Sequence, residues 1–265
     1  VNLLVEFLRV NLNFMSKSKR FKQKAPTIHQ LKPEDFKFLR GEDNRTRETW
    51  RVLRIQSEFI KGLDRLYGIT KGVSIFGSAR VQEGSPFYEL ARKCAREIGK
   101  KGFAIITGGG PGIMEAANKG AREVKALSVG LNIQLPFETH LNPYLDISEN
   151  FNFFFVRKVM LVKYSQAFVI LPGGFGTLDE MFEALTLIQT KKVADFPVIL
   201  VGKKYWAPLY EFIQSHLVEN GMINMGDLDD LHLVDSPAEA AEIAEKAWKK
   251  HVKRLKEEMV ESVHI

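Results

Sequence analysis

Short apolar runs alternate along this chain with longer segments of helical period. The runs fall at 72–77, 103–107, 128–133, 152–155, 167–171, 197–201 and 232–234 and read as strands. Between them, 86–100, 113–125, 156–164, 178–190 and 206–220 read as helices. Ser85 and Pro86 supply a cap and a first helical residue, and Gly221 closes a later helix. Upstream, Trp50, Leu53, Ile55, Phe59, Ile60, Leu63 and Leu66 form one stripe of a helix over 45–67. Ser236-Pro237 opens a last helix, 237–260, rich in Ala, Glu and Lys. The segment 135–150 reads as a long loop. Apolar strands alternating with helices predict an α/β fold, a doubly wound, mainly parallel sheet with helices on both faces and an extra N-terminal helix.

In such sheets ligands bind outside the carboxyl ends of the strands. Three glycine turns fall at those ends: Gly77-Ser78-Ala79-Arg80, Gly108 to Gly112, and Pro172 to Thr177. Their convergence predicts one shared pocket, with the 135–150 loop near its mouth. The third turn is the most informative. Pro172-Gly173-Gly174-Phe175-Gly176-Thr177-Leu178-Asp179-Glu180 joins a buried strand to a helix. Backbone N–H groups of Gly174, Gly176 and Thr177 would sit at the positive end of the helix dipole and hold an anion, most commonly phosphate. The run contains neither G-x-G-x-x-G nor a Walker pattern. Glu180 puts a carboxylate about one turn into the same helix, where it should serve something other than the phosphate. Arg157-Lys158 lies sixteen residues before Gly173. The helix that begins there follows a strand, so Arg157 emerges at the same sheet end and reaches the pocket.

At 265 residues the chain suits one such domain with appendages. Its net charge of +6 is local: residues 1–40 hold nine Lys/Arg against three Asp/Glu, and the remainder balances at 29 against 29. The cluster Lys17, Lys19, Arg20, Lys22 and Lys24 is therefore expected on a solvated, partly disordered basic arm, 1–40, ahead of a single domain at 41–265. A balanced body does not favour a nucleic-acid partner. The apolar stretch 1–14 is interrupted by Glu6 and Arg9. It is too short to span a bilayer and lacks the flanks of a secretory signal. Cys94 is the sole cysteine, so no disulfide closes within the chain, as suits a cytoplasmic protein, and a buried structural thiol is expected there. The six histidines have no metal-ligand spacing, and no nucleophile elbow is present.

Together the motifs resemble those of the LONELY GUY family, once widely labelled "lysine decarboxylase-like". Pro172 to Glu180 matches its Pro-Gly-Gly-x-Gly-Thr-x-x-Glu in full. Arg157, Lys158, Val159, Met160 and Leu161 approach its Arg-Lys-x-x-Met, with methionine one position early. Gly108 to Glu115 and Gly77-Ser78 resemble its other glycine motifs, and the likeness covers a core of roughly 70–245 in the style of the longer bacterial members. What the resemblance implies is a Rossmann-like phosphoribohydrolase, a homodimer or larger homo-oligomer with no metal or organic cofactor. Its substrates would be AMP or cytokinin riboside 5′-monophosphates, cleaved to free base and ribose 5-phosphate. The residues suit that chemistry. Breaking an N-glycosidic bond develops positive charge on the ribose, which a carboxylate stabilises while it holds or activates water. Glu180 is the candidate for that carboxylate. Arg157, protonated at neutral pH, could bind phosphate or donate to the departing base or to Glu180, and the leaving-group side is the expected one. Phosphate and substrate contacts are expected from Gly173, Gly174, Gly176, Thr177, Lys158, Gly77, Ser78, Gly109, Gly110 and Thr186. A non-catalytic nucleotide or cofactor carrier of the same fold is the alternative. Decarboxylation would require pyridoxal phosphate on a lysine, and no lysine-site pattern surrounds Lys158 or Lys163.

Overall fold

The computed structural model describes residues 45–134, 141–194 and 196–262, all within one compact unit, Asn44–Ile265. The expectations for the basic arm and for 135–140 lie outside the described residues. In chain order the elements are α1 (Arg45–Arg65), β1 (Gly72–Phe76), α2 (Pro86–Lys100), β2 (Ala104–Thr107), α3 (Ile113–Glu123), β3 (Ser128–Ile133) and β4 (Ile147–Phe151). Then come α4 (Phe154–Lys163), β5 (Phe168–Ile170), α5 (Phe175–Gln189), β6 (Val198–Val201), α6 (Lys203–Phe212), β7 (Leu231–Val234) and α7 (Pro237–Ser262). Beyond α6 the helix widens into a π segment, Ile213–Val218. No helix among the described residues is long and apolar enough to cross a membrane.

All seven strands pair in parallel, in the order β4-β3-β2-β1-β5-β6-β7. The chain winds outward from β1 to β4, then returns to the other side of β1 as β5. The switch point therefore lies between β1 and β5, where Ser74 stands opposite Phe168. The loops that leave these two strands diverge and open a crevice.

Strand residues alternate between two cores. Phe76, Ile106, Phe168 and Ile170 face α4, α5 and α6 through Met160, Met181 and Trp206, and share their core with Leu66 in the turn after α1. Val73, Ile75, Ile105 and Val169 face α2, α3 and α7 through Tyr88, Ala117 and Ala241. Cys94 belongs to this second core, where burial pushes its thiol up to about 12.

Three boundaries differ most from the sequence reading. The fourth strand is Ile147–Phe151, inside the expected loop, and 152–155 is not a strand. Phe154 and Phe155 instead open α4, half-exposed. The cause is Glu58 on α1, whose carboxylate accepts from Asn152 N (3.1 Å) and Phe153 N (3.3 Å) and so binds the open N–H groups at the helix entry. The other two are that α5 starts at Phe175 and α6 at Lys203, each three residues before the expected Leu178 and Trp206.

Candidate active site

A cavity of about 700 Å³ opens at the switch point, within the usual range of small-molecule sites. It is lined by Gly77, Ser78, Ala79 and Arg80 after β1, by Gly108 after β2, and by Gly174 to Leu178 at the head of α5. Arg157, Leu161 and Glu180 complete the wall with Phe76 and Met114. Ser78 ties three strand-end loops together. Its N–H donates to Pro172 O (3.0 Å), and its carbonyl accepts from Ile113 N (3.1 Å). Its Oγ accepts from Arg80 N (3.1 Å), so the hydroxyl also shapes its own turn. Gly112 makes the second of those ties possible. It sits at φ 71° with Ser78 O where a Cβ would lie, so a side chain there would push the loops apart.

The head of α5 forms the floor. Thr177 N and Leu178 N both donate to Gly174 O (3.0 Å each). This corrects the expected cradle. Because the helix begins at Phe175, the Thr177 N–H is spent on its own first turn. The N–H groups left open by helix geometry are those of Phe175 and Gly176, with Gly174 N–H just before them.

Next to that floor, α4 and α5 interlock by charge. Arg157 Nη2 donates to Glu180 Oε1 at 3.1 Å, and Glu180 is only 3% exposed. Next to it, Lys158 Nζ is shared between Asp179 (2.9 Å) and Glu183 (3.0 Å). The second oxygen of Glu180 and the Nε of Arg157 are buried with no partner among the described residues. Burial pushes the Glu180 carboxyl up to about 7; Arg157 and Lys158 pull against it, while Glu183 and Asp179 add to the rise. Burial also lowers the Arg157 guanidinium from its usual value, opposed by Glu180, and Arg157 stacks over the Phe154 ring at 5.3 Å. For Lys158, burial works against the charge, but the hydrogen bonds to Asp179 and Glu183 outweigh it and hold the ammonium above the ordinary lysine range. Among the described residues no three His, Cys, Asp or Glu side chains come together as a metal site would require.

A family model described as "Possible lysine decarboxylase" matches residues 114–244. An uncharacterized protein of Archaeoglobus fulgidus is 32% identical over 135 residues, 50% of this chain and 85% of that one. A protein of Rhodococcoides fascians named cytokinin riboside 5′-monophosphate phosphoribohydrolase is 27% identical over 159 residues, 56% of this chain and 77% of that one. The chain belongs to the LONELY GUY family. In fold it is also similar to the molybdenum cofactor carrier protein of Chlamydomonas reinhardtii, at a TM-score of 0.52 and 20% identity over 68% of this chain and 99% of that one.

The LONELY GUY motifs divide between the cavity and its scaffold. Arg157, Glu180, Gly77, Ser78, Gly174, Gly176 and Thr177 line the cavity together. Lys158, Gly109, Gly110, Gly173 and Thr186 are not among its lining residues. Lys158 grips α5. Thr186 is exposed, and its hydroxyl donates to Phe182 O one turn back (2.7 Å). Gly173 packs against the Thr177 side chain. Gly109 and Gly110 present their carbonyls to Asn142 Nδ2 (3.1 Å each), which also reaches Asn118 Oδ1 (2.9 Å). Thr107 Oγ1 donates to the same Asn118 oxygen (2.7 Å) and accepts from Gly109 N (2.9 Å). This buried network fixes the second glycine turn, and the sequence reading did not include Asn118 or Asn142. Their only signal is a lone asparagine in a helix and another in a loop. The displaced methionine is also accounted for. Met160 is buried in the core, and Leu161 faces the cavity in the position where the family motif has methionine.

Proposed function

We propose that this chain hydrolyses the N-glycosidic bond of a nucleoside 5′-monophosphate, AMP or a cytokinin riboside 5′-monophosphate, to the free base and ribose 5-phosphate. The observation that carries the reading is the buried Arg157–Glu180 pair with one carboxylate oxygen unpartnered, lining the same cavity as the residues with open N–H groups at the head of α5. The 5′-phosphate would sit at the N–H groups of Gly174, Phe175 and Gly176, beside the dipole of α5. That contact would fix the ribose against Glu180, so that binding energy from the unreacting phosphate positions the reacting carbon.

As the bond between C1′ and the base nitrogen breaks, its electron pair leaves with the base and positive charge develops on the ribose. Glu180, ionised, faces that charge in a site with little water to screen it. Its free oxygen can accept a proton from the water that attacks C1′. Water adds to C1′ as hydroxyl, and the proton that Glu180 took from it passes on to the departing base nitrogen, which regenerates the carboxylate. Arg157 holds the other carboxylate oxygen and keeps Glu180 aimed. Lys158 is held as a charged ammonium between two carboxylates, which does not suit a Schiff-base lysine and so speaks against amino-acid decarboxylation.

The test is incubation with AMP and N6-substituted AMP, followed by chromatography of the products. Free base and ribose 5-phosphate in equal amounts, lost in Glu180→Ala with binding retained, support the reading. Tight nucleotide binding without product from any of them would overturn it in favour of a carrier.

A further inference from the structure

We propose that Tyr205 is a positioning residue for the anion cradle: its hydroxyl latches the Gly173–Gly174 peptide with the Gly174 N–H turned into the cavity. The proposal rests on reading that cavity as a 5′-phosphate site. Tyr205 Oη donates to Gly173 O at 2.7 Å. The next residue, Trp206, donates from Nε1 to Ile170 O at 3.2 Å. Two successive residues of α6 thus hold the backbone on either side of Leu171-Pro172. The Tyr205 ring is itself fixed edge-on between Trp206 (4.8 Å, 85°) and Phe87 (6.2 Å, 75°).

The peptide geometry carries the argument. In a trans peptide the C=O of one residue and the N–H of the next point in opposite directions, and no described peptide bond is cis. Gly173 O meets Tyr205, which lines a second cavity of about 790 Å³ with Phe87 and Gly202. Gly174, but not Gly173, lines the candidate active site. With its oxygen held on Tyr205, this peptide turns its N–H away from Tyr205, and Gly174 lines the candidate active site. A peptide between two glycines turns over at little steric cost. Packing does not prevent it at Gly174, where an added Cβ would meet nothing within 4 Å. On either side the backbone is tied: Pro172 O accepts from Ser78 N, and Gly174 O from Thr177 N and Leu178 N. Between these ties, the bond from Tyr205 is the one described hydrogen bond to the Gly173–Gly174 peptide. If the plane turned over, an open N–H in the cradle would become a carbonyl oxygen that repels phosphate.

Tyr205→Phe keeps the ring and removes the latch. Binding of inorganic phosphate and of ribose 5-phosphate is measured by titration calorimetry, alongside kcat and KM for AMP and kcat/KM for adenosine. The lost hydrogen bond predicts anion binding weaker by about two- to ten-fold and KM for AMP raised by a similar factor. It also predicts kcat/KM lowered for AMP with adenosine cleavage unaltered, and the melting temperature held. Unchanged ribose 5-phosphate binding in Tyr205→Phe overturns the latch, as does an equal loss towards AMP and adenosine. Wild-type protein that binds neither inorganic phosphate nor ribose 5-phosphate overturns the phosphate-site reading itself, and the latch with it.

Discussion

Replacing Glu180 by Gln should stabilise this protein at alkaline pH while removing its activity. Burial raises the Glu180 carboxyl from 4.5 to about 7, against the pull of Arg157. A folded-state value above the unfolded one means that the native protein holds the proton more tightly. The stabilising contribution of the neutral acid is therefore complete below about 4.5 and is lost as pH rises through 7. A shift of that size, at 1.36 kcal/mol per pH unit, amounts to about 3 kcal/mol above pH 8. Glutamine stays neutral, and its amide oxygen still accepts from Arg157, so it mimics the protonated acid at every pH. Urea unfolding from pH 4.5 to 8.5 checks this. The two proteins should match at the acid end, and Glu180→Gln should lead by about 3 kcal/mol at the alkaline end. Wild-type kcat/KM for AMP should fall about tenfold per pH unit below 7, and Glu180→Gln should lose about 100-fold or more across the range. Stability curves that run parallel in pH, or a wild type more stable at pH 8.5, would refute the reasoning.

Arg157→Ala removes the nearest cation from Glu180, so the acid limb of kcat/KM for AMP should move upward by about 1–3 pH units, with activity falling at neutral pH. A pH–rate profile reads the shift directly. Asn142→Ala strips partners from the Gly109 and Gly110 carbonyls and from Asn118, and should cost about 1–3 kcal/mol by urea unfolding.

The central strands were legible because a parallel strand covered on both faces is mostly apolar, as 198–201 is throughout and 72–76 is apart from Ser74. Edge strand β4 was not. Its Ser148, Glu149 and Asn150 look like loop, yet Lys61 pairs with Glu149, and Asn132 donates to Asn150 across the register at 2.9 Å. The phenylalanine run after it looks like a strand, and only Glu58, 94 residues away from Asn152, turns it into a helix start. Strand-end logic was enough to predict that Arg157 reaches the pocket, because it depends on topology rather than on residue boundaries. Which backbone N–H groups face the cavity depends on where α5 starts, and a three-residue difference there moved Thr177 from cradle to helix. The asparagine network was beyond reach for a similar reason. Each member is unremarkable alone, and only folding brings Asn118 to Asn142.

The same burial that makes Glu180 costly to ionise is what suits it to the proposed reaction. An acid exposed to water would meet a developing cation with its charge already screened. A buried acid lacking any partner would stay protonated. Between these limits, the cost of burial and the pull of Arg157 and Lys158 leave Glu180 close to half-ionised near neutrality. The charge that appears on the ribose at bond cleavage then shifts the balance towards carboxylate, and by linkage the carboxylate stabilises that charge in return. Neutral ground-state ribose gains much less from the carboxylate, so the interaction is realised mainly as the bond breaks, where it lowers the barrier rather than tightening substrate binding. Lys158 is important to this balance even though it does not line the cavity. By neutralising part of the charge on Asp179 and Glu183, it keeps two neighbouring carboxylates from driving Glu180 further into its protonated form.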